Sequence, residues 1–192
     1  MKKPNPIVLG ISGSLRDQSS NSRLLTSVGG MLPVGTEFRM YQGLASLPHF
    51  NPDLDGDDVQ AHEAVRDLRK ELKAADAIII CTPEYARGVP GSLKNALDWI
   101  VSSGEFMNKP TAVISASPHP DGGTSARQSL MQTLKMMDAA IPDEASLSVP
   151  FVSRIVSQDG HVTDANILSS LQLLIQALSQ AIGENTVITR EE

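Results

Sequence analysis

The chain has 192 residues, 41% hydrophobic and 20% charged, with a formal net charge of −6. That is the size and make-up of a single domain over residues 1–192 with a substantial buried core. The acidic balance with scattered basic residues argues against nucleic acid and anionic membrane as main partners, and no apolar run approaches a bilayer span. Lys2 and Lys3 precede an apolar stretch too short for a signal-peptide core. Cys81 is the only cysteine, and histidines 49, 62, 119 and 161 lack metal-ligand spacing, so a reducing cytoplasm and no structural metal are expected.

Residues 7 to 11, IVLGI, are apolar without alternation, the pattern of a strand buried on both faces. The run breaks into SGSLRDQSSNS, residues 12 to 22, where Gly13 permits a sharp exit. Ser19, Ser20, Asn21 or Ser22 caps a helix that Arg23-Leu24-Leu25 starts. A first helical turn has unpaired N–H groups and partial positive charge. With Arg16 alongside and donors at Ser14, Ser19, Asn21 and Ser22, it suits a phosphate dianion. The same strand, turn and helix start also occur in doubly wound proteins that bind nothing there. Gly10 and Gly13 lack the third glycine of G-x-G-x-x-G, no Walker lysine follows, and Gly10-Ile11-Ser12-Gly13 stops one residue short of G-x-S-x-G. A mononucleotide-type phosphate is favoured over a pyrophosphate or an acyl group.

Leu24 to Met31 reads as a helix closed by Gly29-Gly30 and Pro33, and Thr36 to Tyr41 as an edge strand. Residues 43 to 58, rich in Pro, Gly and Asp, read as a long excursion of the functional or mobile kind, or else as a solvated loop. A charged helix spans Val59 to Ala75, with Val65, Leu68 and Leu72 inward. Ala77 to Cys81 is a buried strand. In residues 82 to 100, Pro83 and Pro90 stiffen the chain, Gly88 and Gly91 bend it, and Ser92 to Ile100 forms a helix burying Leu93, Ala96, Leu97 and Ile100. Thr111 to Ser115 is a fourth strand, 117 to 125 another Pro and Gly loop, Ala126 to Met137 a helix, and Ala145 to Val149 a fifth strand. Residues 150 to 161 look irregular before a last amphipathic helix, Asp164 to Ile182, with Leu168, Leu171, Leu174, Ile175 and Leu178 facing in.

Strands alternating with helices imply a parallel sheet between two helical layers, with right-handed crossovers. Ligands of such sheets bind beyond the carboxyl ends of the strands, where the strand order reverses. The loops after strands one, three and four all emerge at that edge. In the order 2-1-3-4-5 the phosphate lies after strand one and the other two loops flank a planar ring, a layout that suits FMN.

GSLR followed by SxN at 13 to 21, TPEYARGVPGSLKNALDW at 82 to 99, and SASP with a downstream Gly-Gly at 115 to 123 resemble the NADPH-dependent FMN reductases of flavodoxin-like fold, which include quinone, azo and chromate reductases. The resemblance implies that Ser14, Arg16, Ser19 and Asn21 hold the FMN phosphate. Pro83, Glu84, Tyr85 and Ala86, with Gly88 in the same turn, would set backbone amides against the polar edge of the isoalloxazine, and Ser117 would close the other side. Many relatives carry asparagine where this chain has Ala86, which removes a side-chain contact and leaves a backbone one. Tyr85 either lines the substrate face or packs on its own helix, Glu84 is either a ligand or a carboxylate with a local partner, and Trp99 belongs to the core or an interface. No acid, base or nucleophile has to come from the protein, because the flavin carries the electronics. The implied activity is hydride transfer from NADPH or NADH through FMN to a quinone, flavin or similar planar acceptor, in a homodimer or homotetramer. The alternatives are a one-electron carrier like flavodoxin and a regulatory module on the same scaffold; the loop GSLRDQSSN differs from the T-x-T-G-x-T of flavodoxins.

Overall fold

The computed structural model describes residues 5–56 and 61–188. Within them the elements run β1 (Ile7–Ser12), α1 (Ser20–Gly30), β2 (Glu37–Met40), α2 (Glu63–Ala74), β3 (Ala77–Thr82), α3 (Gly91–Asp98), β4 (Thr111–Ala116), α4 (Thr124–Met136), β5 (Ser146–Val149), α5 (Val152–Ile155) and α6 (Ala165–Ile188). The strands form one sheet in the order β2-β1-β3-β4-β5, parallel throughout. Alternation along β3 sends Ala77, Ile79 and Cys81 into a core roofed by α1, α5 and α6. Ile78 and Ile80 enter the opposite core, under α2, α3 and α4. The continuous apolar strands and amphipathic helices therefore build the flavodoxin-like three-layer sandwich expected from the sequence, and every strand delivers its C-terminal end to one edge.

Several boundaries differ from the sequence reading for local reasons. Helix α1 starts at Ser20 instead of Arg23 or Leu24, because the Ser19 side chain accepts from Ser22 N at 3.3 Å and caps the turn before the apolar stripe begins. Val59, the expected start of α2, lies outside the described residues; α2 starts at Glu63, where His62 Nδ1 accepts from Ala64 N. Its far end is met by Lys109, whose Nζ donates to the carbonyls of Leu72 and Ala75 at 2.7 and 2.6 Å. The span 150 to 161 is not irregular throughout: it holds α5 and ends in an antiparallel bridge between Val156 and Val162. In α6, Leu171, Leu174, Ile175 and Leu178 are buried as expected, while Leu168 is only half-buried near the end capped by Asp164.

The excursion after β2 is a docked strap over its described part, to residue 56. Asn95 on α3 holds it from both sides, accepting from Phe50 N at 2.7 Å and donating to Pro48 O at 2.9 Å. Trp99 Nε1 donates to the same carbonyl, and its buried indole meets the Phe50 ring edge-on. Arg69 pairs with Asp55 at 2.6 Å and caps Trp99 O. Trp99 is thus core, and it fastens this segment. Among the described residues no helix is long and apolar enough to cross a membrane.

Candidate cofactor site

The first loop is bound to the sheet at its root. Gly13 N donates to Cys81 O at 2.8 Å. Its φ lies outside the left-handed region, so the expected conformational role is corrected to a spatial one: a Cβ here would stand 2.7 Å from Thr82 Oγ1 and 3.1 Å from Leu93 Cδ2. Beyond it, Ser12 Oγ meets Ser22 Oγ at 2.8 Å, tying the strand end to the helix start. Ser14 Oγ accepts from Arg16 N, which curls the loop over that start. The first i→i−4 bond of α1 runs from Arg23 N to Ser19 O. Among the described residues the N–H groups of Ser20 and Asn21 accordingly have no protein acceptor, and Arg16 is exposed without an ion-pair partner.

Asn21 is 6% exposed, and its side chain points into the sheet. Nδ2 donates to Ala116 O at 3.2 Å, and Oδ1 accepts from Cys81 Sγ at 3.4 Å. Burial pushes the Cys81 thiol up, so it stays protonated and serves as the donor. Asn21 therefore offers the loop its backbone N–H, while its amide pins α1 across the ends of β3 and β4.

The loop after β3 turns at Ala86 and Arg87, with φ of 49° and 64°, and not at Gly88 or Gly91, neither of which has a positive φ. Tyr85 and Gly88 exchange two backbone bonds of 3.0 Å across them. Two consecutive left-handed residues make a type I′ turn, a geometry normally left to Gly or Asn. Glu84 has a local partner: its Oε2 accepts from Ala126 N at 3.1 Å, capping α4, whose own N-cap is Gly123. Tyr85 is half exposed and lines the cleft described below.

The third loop is anchored by Ser117, 5% exposed. Its N donates to Val149 O, its O accepts from Val152 N, and its Oγ accepts from His119 N at 3.2 Å. Gly122 and Gly123, with φ of 63° and 78°, return the chain to α4.

These three loops enclose a cleft of about 230 Å3 lined by Ser14, Arg16, Ser19, Asn21, Pro83, Glu84, Tyr85 and Ser117. Ser22, Ala86 and Gly88 do not line it: Ser22 lies on the other side of the first α1 turn, and the other two stand in the turn that carries Tyr85. His119, Val152 and Ser153 do line it and were not singled out from sequence. The signal for Val152 and Ser153 was available, since the loop after strand five leaves the same edge. A larger cleft of about 1000 Å3 lies across the first loop, sharing Ser14, Arg16 and Ser19.

The sequence model described as NADPH-dependent FMN reductase matches residues 6–153. An NAD(P)H-dependent FMN reductase of Pseudomonas aeruginosa is 33% identical over 173 residues, covering 89% of this chain and 92% of that protein. A quinone reductase of Escherichia coli is 27% identical over 178 residues, covering 91% and 94%. Among solved structures, the flavoenzyme NAD(P)H:(acceptor) oxidoreductase FerB of Paracoccus denitrificans superposes with a TM-score of 0.82 at 30% identity, covering 93% of this chain and 98% of its own.

Proposed function

The chain belongs to the NADPH-dependent FMN reductase family, and from that premise we propose that the smaller cleft holds FMN and that the protein carries hydride from NADPH or NADH to a quinone, flavin or similar planar acceptor. The observation that carries this reading is the convergence of three loops on one cleft whose basic side chain, Arg16, has no carboxylate partner among the described residues.

The donor set fits the cofactor. The free N–H groups of Ser20 and Asn21, the hydroxyls of Ser14 and Ser19, and Arg16 are what a phosphate dianion requires. Bound FMN would supply the hydride chemistry itself. Pro83, Glu84 and Tyr85, held by the turn bonds between Tyr85 and Gly88, would set backbone groups against the polar edge of the ring, and Ser117 holds the opposite wall through its three bonds. Oriented backbone dipoles favour the negative charge that reduction adds at such an edge. With a quinone the balance is one nicotinamide hydride and one proton, giving oxidised nicotinamide and hydroquinone. Cytoplasmic location and assembly into a dimer or tetramer belong to the same proposal. Exposed Leu15, Tyr85 and Phe151, at or beside the cleft-lining segments, support a second copy covering the rim.

Purified protein is expected to be yellow, with flavin bands that bleach on anaerobic addition of NADPH or NADH. A colourless preparation that also fails to take up added FMN refutes the assignment. Bands bleached by dithionite and left intact by both nicotinamides would instead identify a one-electron carrier.

A further inference from the structure

One histidine at the smaller cleft carries a free ring on a fixed backbone. His119 stands between Pro118 and Pro120, each of which locks its own φ. Its N donates to Ser117 Oγ at 3.2 Å, and its O accepts from Gly122 N at 3.2 Å and from Phe151 N, beyond β5, at 3.4 Å. Hydroxyls hold the return of the loop. Ser115 Oγ donates to Gly122 O at 2.8 Å and lies 3.0 Å from Ser148 Oγ, which accepts from Arg127 Nε at 2.9 Å. The loop that carries His119 is therefore fastened to β4, β5 and α4.

The imidazole itself has no hydrogen-bond or ion-pair partner among the described residues. By contrast, His62 caps α2 and His161 faces Asp159. His119 is exposed while lining the cleft, as is Tyr85, whereas Ser19, Asn21 and Ser117 are buried. The first two thus stand at the mouth, where an acceptor enters, and the other three at the floor. The other charged or titratable side chains lining this cleft are Arg16, Glu84 and Tyr85. Arg16 cannot release a proton, and Glu84 is bonded to Ala126 N. Imidazole is the side chain that gains and loses a proton near neutral pH, so His119 is the group there suited to proton transfer.

A quinone that has received a hydride carries a negative oxygen and needs one proton to become hydroquinone. We infer that the His119 imidazolium hydrogen-bonds that oxygen and delivers the proton: a ring N–H bond breaks, the O–H bond forms, the electron pair stays on nitrogen, and solvent reprotonates the ring. The inference rests on the smaller cleft being the flavin site, and it narrows the acceptor to compounds that take a proton on oxygen as they are reduced.

The test sets a quinone against ferricyanide, which takes electrons without a proton, with NADPH as donor. His119→Gln keeps a polar side chain at an exposed position. It should lower quinone turnover relative to ferricyanide turnover about 100-fold, the low end of what a positioned acid contributes. Apart from turnover, proton NMR of the FMN-loaded protein should show an imidazole signal, missing in His119→Gln, that moves when a hydroxynaphthoquinone is added, its ionised hydroxyl standing in for the reduced oxygen. Equal losses with both acceptors, or an unmoved His119 signal, overturn the assignment. An FMN affinity lowered as far as quinone turnover would put the ring on the cofactor and overturn it too. Missing flavin bands in the unaltered protein would overturn the flavin reading first, a distinguishable failure that takes the proton donor with it.

Discussion

Asn21→Ala separates fastening from binding at the first loop. The side chain donates to Ala116 O at 3.2 Å and accepts from Cys81 Sγ at 3.4 Å while 6% exposed. Truncation deletes a buried hydrogen bond of about 1 kcal/mol and leaves a carbonyl and a thiol short of a partner, which adds about 1 to 2 kcal/mol. The thiol contributes least, because S–H is a weak donor. A total near 2 to 3 kcal/mol in a domain of this size lowers the melting temperature by roughly 4 to 12 °C. Alanine keeps the backbone N–H, so FMN affinity should fall less than about three-fold, under 1 kcal/mol. Thermal unfolding of the apoprotein and a fluorescence titration with FMN measure the two effects. A Kd raised about 100-fold with an unmoved melting temperature would mean that the amide faces the phosphate, and the reasoning from its buried partners would be wrong.

Arg16→Ala should behave in the opposite way. Among the described residues the exposed guanidinium bonds nothing that holds the fold, so stability stays put while FMN affinity drops about ten- to 100-fold in the same titration. Ala86→Gly relieves a left-handed alanine at φ 49° and should raise the melting temperature by roughly 2 to 4 °C, about 1 kcal/mol; a lower melting temperature would show that the methyl packs usefully. Tyr41→Phe removes a buried hydroxyl with no partner among the described residues and should stabilise the protein. Tyr41 is also pushed from 10.0 up to about 12, so above pH 10 the unfolded chain releases a proton that the native state keeps. Native stability therefore falls between about pH 10 and 12, and the phenylalanine variant should escape that part of the fall in denaturant titrations. Parallel curves for the two proteins would refute the assignment of the titration to Tyr41.

The fold was legible because its signals are redundant. A strand such as Ala77–Thr82 is apolar at every position but the last, and the helices around it keep their buried residues three and four apart. What escaped were features set by contacts distant in sequence. Nothing local announces that Asn95 and Trp99 will hold Pro48, so a 43–58 segment rich in Pro and Asp reads as loose when its described part is fastened. Likewise Gly13 reads as a conformational hinge, whereas the constraint is Thr82, a neighbour in space only.

The sequence motifs indicate which residues gather at the candidate cleft better than they indicate what each side chain bonds, and the difference has one physical cause. At the edge of a parallel sheet each loop must be held by its neighbours, and the polar side chains of the motifs do that work: Asn21 on Ala116, Glu84 on Ala126, Ser12 on Ser22, and Ser117 on His119. The groups left for a ligand are the backbone N–H groups of Ser20 and Asn21, the hydroxyls of Ser14 and Ser19, and Arg16. The motif side chains thus meet at one cleft while several of them are already bonded within the protein. The same division bears on Ala86: the turn bonds of Tyr85 and Gly88 fix the backbone there, so the turn holds its shape with no side-chain bond from this position, at the cost of left-handed strain.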